Sequence, residues 1–506
     1  KMNSRAKVYQ YARPVKVAIV GGGFGGLCMA IKLREAGIED FVLLEKAEQV
    51  GGTWRDNNYP GCACDVQSHM YSFSFEGNPD WSARYSGWEE IQDYILRTTE
   101  KHGIPEKTRF NAEVCGAHFD QDKALWTLDL KDGSQVVCQH WVLASGPLHV
   151  PQIPNFPGLD RFKGKVFHSS QWDHDYDLTG KKVVSVGTGA SAIQYVPQIA
   201  PEVARLTVVQ RTPGWIIPRD ERRYSKLSKT LFRRFPLLRK LHRVRLYWSN
   251  ESRVVPIFHP RLAGLLEKVV KQFIRFQVKD KETARKLTPS YTLGCKRIMI
   301  SNRYYPTFNR DNVELFTEGV KEVRENSIVF TDGSEREMDC LIMGTGFIVD
   351  PRIYMRDFPI TGLDGRKLQD DWADASEAYL GVTVAGYPNM FQMVGPNTGL
   401  GHNSIIFMIE CQAEYIRDAI RKLDAKGGDY LDVKRAEMDA FNDKLQEDVA
   451  GTVWQQGGCS SWYQQADGKN VAIWPYSTWR YWLKTRRVED RVYHWEKARQ
   501  PQKAAS

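Results

Sequence analysis

The stretch Val17 to Glu45, VAIVGGGFGGLCMAIKLREAGIEDFVLLE, constrains the fold more tightly than any other part of the chain. An apolar run, Val17 to Val20, enters a glycine cluster in which Gly21, Gly23 and Gly26 have G-x-G-x-x-G spacing, and a helix-like stretch from Leu27 to Ala36 follows. This order predicts strand, tight turn and helix. Gly21 permits the turn, Gly23 lets the backbone approach a pyrophosphate, and Gly26 lets helix and strand pack closely, while the N–H groups of the first helical turn face the phosphates. A second apolar strand, Phe41 to Leu44, ends in Glu45, about 20 residues beyond the glycines, where a carboxylate accepts the hydroxyls of an unphosphorylated ribose. The flanking strand, helix and terminal acid are what separate this pattern from a merely glycine-rich turn. They imply an adenine dinucleotide, FAD or NAD.

The same logic recurs at Lys182 to Gln194, KVVSVGTGASAIQ, with a strand from Val183 to Val186, then Gly187 and Gly189, and a helix starting near Ala190. Ala192 takes the third glycine position, which the pattern allows. Here the second strand, Leu206 to Val209, is followed by Gln210-Arg211-Thr212 and no acid. Arginine at this point suits the 2′-phosphate of NADP, which a carboxylate would repel. Two sites of this kind in one chain need two cofactors, most simply FAD at the first and NADPH at the second.

At 506 residues the chain exceeds one core of ordinary size, and 42% hydrophobic with 26% charged residues is usual for a globular protein. The longest stretch without Asp, Glu, Lys or Arg, Ala378 to Ile409, is broken by Gly386, Pro388, Gly395, Pro396, Gly399 and Gly401, so it does not read as a membrane span. No signal-like apolar core precedes the first strand, and a cytoplasmic protein is expected. The nine cysteines show no redox or zinc spacing, Cys62 and Cys64 being separated by one residue, and reduced thiols are expected. No metal constellation is found; His168, Asp173 and His174 lie in a turn-rich linker.

The net charge of +9 is concentrated. From Glu221 to Ile300 there are 21 Lys and Arg against 5 Asp and Glu, a net +16 that leaves −7 for the rest of the chain. In that segment Leu231, Phe232, Phe235, Leu237, Leu238 and Leu241 interleave with Arg233, Arg234, Arg239 and Lys240, the pattern of a basic amphipathic helix. A solvated helical face accounts for it, and weak contact with an anionic membrane surface is the further reading. No nucleic-acid module is visible, so no nucleic-acid partner is expected.

Two longer motifs make the reading specific. Phe162, Gly164, His168, Trp172 and Asp173 stand as F-x-G-x-x-x-H-x-x-x-W-D between the glycine turns, and Gly51, Gly52, Trp54, Tyr59, Pro60, Gly61 and Asp65 as G-G-x-W-x-x-x-x-Y-P-G-x-x-x-D. Together they resemble the type I Baeyer–Villiger monooxygenases, a class B flavin-dependent family, and the resemblance runs from about Val17 to the Trp-rich tail. It implies that NADPH reduces FAD, that oxygen adds at flavin C4a, and that the resulting peroxide attacks a ketone to give an ester or lactone.

The resemblance also implies roles. Lys296-Arg297 ahead of Tyr304-Tyr305 matches a family pattern that makes Arg297 the catalytic cation, oriented by Asp65. The cofactor-binding set is then Gly21, Gly23, Gly26, Glu45, Thr53, Trp54, Asp65 and Tyr71, with Gly187, Gly189, Ser191, Gln194, Arg211, Thr212, Lys296 and Trp462. His168 belongs to the linker and acts on domain movement, Trp172 packs, and His402 in Gly399 to Asn403 is a minor candidate near the flavin. An N- or S-hydroxylating flavin monooxygenase is the nearest alternative. A pyridine nucleotide-disulfide reductase would need a cysteine pair beside the flavin, and a binding module without turnover would have little use for Arg297.

The fold expected is α/β, with two Rossmann-like dinucleotide-binding domains. Residues 1–148 form the first part of the FAD domain and residues 149–340 the NADPH domain, including a basic helical insert at about 222–287. Residues 341–506 return to the FAD domain and add C-terminal helices. The β-like run from Ile328 to Phe347 is expected to rejoin the first sheet.

Overall fold

The computed structural model describes residues 13–255, 259–458 and 468–499. Its first sheet draws strands from distant parts of the chain, in spatial order Ile360–Thr361, Val114–Asp120, Leu125–Leu130, Gln135–Leu143, Val15–Val20, Phe41–Leu44 and Thr108–Arg109, with Met390–Gln392 also paired to Gln135–Leu143. Val15–Val20 runs parallel to both neighbours, which covers it on both edges. It is buried along nearly its whole length, so an uninterrupted apolar run replaces the alternation of a half-exposed strand. The Asp132-Gly133 turn joins Leu125–Leu130 to Gln135–Leu143 as an antiparallel hairpin, with Leu128 opposite Val136.

The second sheet is parallel throughout, in the order Val313–Phe316, Arg205–Val209, Lys182–Val186, Cys340–Met343, Lys165–His168. This corrects two expectations. Cys340–Met343 pairs with Lys182–Val186 and does not rejoin the first sheet, so the chain leaves the second unit only after Met343. The preceding hairpin, Ser327–Phe330 with Glu335–Glu337, belongs to a separate three-stranded antiparallel sheet. The stretch read as a linker also contains an edge strand, Lys165–His168. Apolar strand sequence is the same in either sheet; the choice is made by which strand edge lies open.

The helix Phe24–Glu35 is buried on almost every side, because the first sheet lies under it and the helix Ile405–Ala425 packs over it. Ser404 caps that second helix, its hydroxyl accepting from the Ile406 N–H at 3.3 Å. The basic insert is helical as expected, with Lys226–Arg234, Pro236–Ser252, Pro260–Gln277 and Lys281–Leu287. Among the described residues no helix is long and apolar enough to cross a membrane. Cys295 is disulfide-bonded, which corrects the expectation of reduced thiols throughout; tertiary folding pairs cysteines that sequence spacing leaves unrelated.

Candidate functional site

The first turn delivers the predicted geometry. Gly21 has φ 109°, and a Cβ there would lie 2.4 Å from the Ala144 carbonyl oxygen, so both the conformation and the space demand glycine. A Cβ on Gly26 would fall 1.8 Å from the Gly21 oxygen, a direct collision between helix and turn. Gly23, the residue before the helix, faces Gly52, and the two glycines leave a cradle between two backbones. Glu45 is buried at the end of its strand. Its carboxylate accepts from the Gly22 N–H at 2.6 Å and the Ala47 N–H at 3.0 Å, and Arg55 Nη1 donates to it at 3.2 Å.

Beyond the cradle, the four-residue helix Thr53–Asp56 presents Trp54, whose Nε1 donates to Tyr71 Oη at 3.1 Å. Tyr71 meets Phe24, the first residue of the glycine-turn helix, edge-on at 5.3 Å. Thr53 accepts the Asn57 amide at its carbonyl, which closes this short helix. An aromatic wall thus rises beside the phosphate cradle.

The second turn repeats the first. Gly187 has φ 110° and faces the Gly344 carbonyl, and a Cβ on Gly189 would meet nothing within 4 Å, leaving room for a pyrophosphate. Thr188 Oγ1 donates to the Thr212 carbonyl at 3.1 Å, which draws Thr212 and Arg211 to the turn. Lys296 stands close enough to Arg211 that burial, reinforced by the arginine's charge, pulls its pKa below the ordinary lysine value. Two cations held together suit a dianionic phosphate. Both turns therefore fit dinucleotides on their own geometry, the first with a carboxylate and the second with cations at the ribose position.

The two units meet through the loop Gly51 to Phe75. Tyr59 Oη donates to Gln194 Oε1 at 2.6 Å, while Gln194 Nε2 donates to the Ala63 carbonyl at 3.0 Å. Two residues on, Asp65 Oδ1 accepts from Arg297 Nη2 at 2.5 Å. The backbone just beyond Arg297 positions it: Met299–Ile300 pairs with Ile216–Ile217, and Tyr304 and Tyr305 are fully buried. Asp65 and Arg297 both act electrostatically on Tyr71 of the aromatic wall. Apart from Trp462, which lies outside the described residues, the expected site residues gather around the two turns and the seam between them.

His168 is held on both ring nitrogens. Nδ1 accepts from the Ser170 N–H at 3.1 Å, so Nε2 carries the proton and donates to the Gly346 carbonyl at 2.8 Å. Burial pulls its pKa down, partly countered by the Gly346 bond, and the neutral ring ties the linker to the turn after Cys340–Met343. Trp172 packs on Phe167 and Tyr195. Cys62 and Cys64 are buried, free thiols; burial pushes Cys62 up to about 12 and Cys64 higher still, which suits neither to thiolate chemistry. Among the described residues no group of His, Cys, Asp and Glu gathers as a metal site.

Sequence reasoning missed Arg55, although it sits inside the second motif. It also missed a buried polar cluster joining the insert to the site. Gln67 and Asn250 exchange amide hydrogen bonds at 3.0 and 2.9 Å, and Glu251 accepts from His402 Nε2 at 3.1 Å, Asn403 Nδ2 at 2.8 Å and Thr478 Oγ1 at 2.6 Å. Apart from His402 and Asn403 in the Gly399 to Asn403 loop, nothing local in the sequence marks these residues.

Residues 14–357 match the model of the flavin-binding monooxygenase-like family. A Baeyer–Villiger monooxygenase of Pseudomonas aeruginosa is 47% identical, over 96% of this chain and 92% of that protein. An oxidised steroid monooxygenase bound to NADP superposes with TM-score 0.86 at 28% identity, over 96% of this chain and all of the other. A crystal structure of OTEMO in complex with FAD and NADP gives TM-score 0.86 at 27% identity, over 95% and 99% of the two chains.

Proposed function

The chain belongs to the flavin-binding monooxygenase-like family, and from that premise we propose that it is an FAD- and NADPH-dependent Baeyer–Villiger monooxygenase acting on a ketone. The overall reaction balances as ketone, O2, NADPH and a proton giving ester or lactone, water and NADP. When bound, FAD supplies the oxygen activation and NADPH the hydride. The rest falls to side chains of this chain.

The turn Gly21 to Gly26 holds the FAD pyrophosphate against the N–H groups of Phe24–Glu35, and Glu45 takes its ribose. Gly187, Gly189 and the helix Ala190–Ile199 do the same for NADPH, whose 2′-phosphate is held by Arg211 and Lys296. Gln194, locked to Tyr59, joins the coenzyme site, to which Ser191 also belongs, to the loop that carries Asp65.

The observation that carries the proposal is the Arg297–Asp65 pair at the seam. Negative charge accumulating on oxygen before it attacks a carbonyl is favoured by a fixed cation, and arginine cannot lose its charge because its pKa stays above about 12. Asp65 sets the direction of the guanidinium. Hydroxylation of nitrogen or sulfur instead needs a protonated, electrophilic oxygen, for which a permanent cation is the wrong neighbour.

Arg297→Ala tests this directly. It is expected to keep FAD but to lose ketone oxygenation by about 100- to 1,000-fold, the effect of removing one charge-stabilising donor, with NADPH consumption slowed or diverted to hydrogen peroxide. Arg297→Lys recovers only part, since a compact ammonium does not reproduce the planar fork. Product analysis with ketone, amine and sulfide panels is the measurement. Ester formation by Arg297→Ala at the parent rate, or oxygenation of amines and sulfides alone by the parent enzyme, would overturn the assignment.

A further inference from the structure

The two long insert helices, Pro236–Ser252 and Pro260–Gln277, each present an apolar face to solvent opposite the face they bury. On Pro236–Ser252, Leu237, Leu241, Val244 and Trp248 recur at i, i+4, i+7 and i+11, and all four are exposed, Leu237 at 67%. The opposite side is already used: Leu246 and Asn250 are buried, and Arg243 donates to the carbonyls of His69 and Ser72. Pro260–Gln277 repeats the arrangement, with Leu262, Leu265, Val269 and Phe276 exposed, Phe276 at 89%, while Ala263, Val270 and Ile274 are buried. The helix Thr478–Thr485 adds exposed Trp479 and Trp482, and Tyr247 and Glu251 hydrogen-bond Thr478 at its start. Apolar exposure on this scale marks an interaction surface.

The charge on the insert itself is nearly all of one sign, with Asp80 from outside the insert pairing with Arg233. Between Lys226 and Lys279 the acidic residues are Glu251, buried in its polar cluster, and Glu267, which accepts from the Leu293 N–H at 2.8 Å. Arg233, Arg234, Lys240, Arg245, Arg261 and Arg275 are exposed. A second copy of this face would set like charges against one another, and a nucleic acid would use the cations but leave the leucines and tryptophans in water. An anionic lipid surface satisfies both, taking apolar side chains below the headgroups and basic side chains at them.

We propose that the helical insert docks this protein on the surface of an anionic bilayer, lying in the interface without crossing it. The docking is independent of the oxygenation chemistry and is read without turnover.

The test is co-sedimentation of the FAD-loaded protein with vesicles of equal parts phosphatidylcholine and phosphatidylglycerol, against vesicles of phosphatidylcholine alone. Binding is expected to the anionic vesicles and to fall steeply toward about 1 M salt, where the Debye length shrinks to about 3 Å. Leu237→Glu with Leu241→Glu removes apolar area and adds repulsion, and a loss of at least about tenfold is expected. Arg234→Glu with Lys240→Glu tests the charge separately, at about fivefold or more per position. NADPH oxidation with a water-soluble ketone should be unchanged in both variants, which shows that they remain folded. Absence of binding at low salt, or equal binding to both vesicle types, overturns the proposal. So does a dimer in analytical ultracentrifugation that the Leu237→Glu, Leu241→Glu pair dissociates, since the face would then belong to a second copy.

Discussion

At the first glycine turn Gly21 has φ 109° and its helix begins after Gly23 at φ −82°, ψ −167°; at the second, Gly187 has φ 110° and the helix begins after Gly189 at φ −81°, ψ −168°. The two backbones are nearly the same. What differs is the packing behind them and the charge in front. Behind the first turn a Cβ on Gly26 would strike the Gly21 oxygen at 1.8 Å, whereas at the second Ala192 already carries a Cβ and is fully buried. The first helix lies between a sheet and Ile405–Ala425 and is buried on almost every side, whereas the second keeps partly exposed residues along its length. In front, the first strand ends in the buried carboxylate of Glu45 and the second in the exposed Arg211. The proposed FAD and NADPH sites therefore share one kind of phosphate cradle and differ in the charge at the ribose position.

Gly26→Ala should have the largest effect, because it asks the first turn to tolerate what the second already contains. Backbone would have to move, at about 3 kcal/mol or more, and the purified protein is expected to lose FAD and unfold at lower denaturant. Flavin absorbance per chain measures this, and a fully yellow, stable Gly26→Ala protein would erase the packing difference between the turns.

Next comes Arg211→Ala. A charge-assisted contact to the 2′-phosphate contributes about 1.5–3 kcal/mol, so NADPH affinity should fall roughly ten- to a hundredfold while NADH is little affected. The substitution also removes the like charge that, after burial, depresses Lys296. Lys296 should then stay protonated to higher pH, and the pH at which the remaining preference for NADPH declines should move upward. Equal losses for both coenzymes would place Arg211 outside the phosphate site.

Ala192→Gly is expected to do least. It gives the second turn the third glycine of the first, costs about 1 kcal/mol of helix stability in chemical denaturation, and leaves coenzyme affinity unchanged. Improved NADPH binding would mean that the methyl group crowds the site, and the two helices would then differ less than their packing indicates.

The sequence by itself determined whatever depends on short spacing. Strand, glycine turn and helix lie within a few residues of one another, so Gly21 to Gly26 and Gly187 to Ala192 were legible, as were the charges at Glu45 and Arg211. The motif that contains Asp65 and the Lys296-Arg297 step were legible through resemblance to a family. Only the tertiary structure decided the sheet to which Cys340–Met343 belongs, since an apolar run of four residues pairs equally well with any open parallel edge. It also decided the disulfide at Cys295, and the polar cluster in which Gln67 meets Asn250 and Glu251 meets His402 and Thr478. It brought Asp65 to Arg297 across 232 residues of chain. Contacts of this kind form after the local elements and depend on the docking of whole layers, so no periodicity or spacing along the chain encodes them.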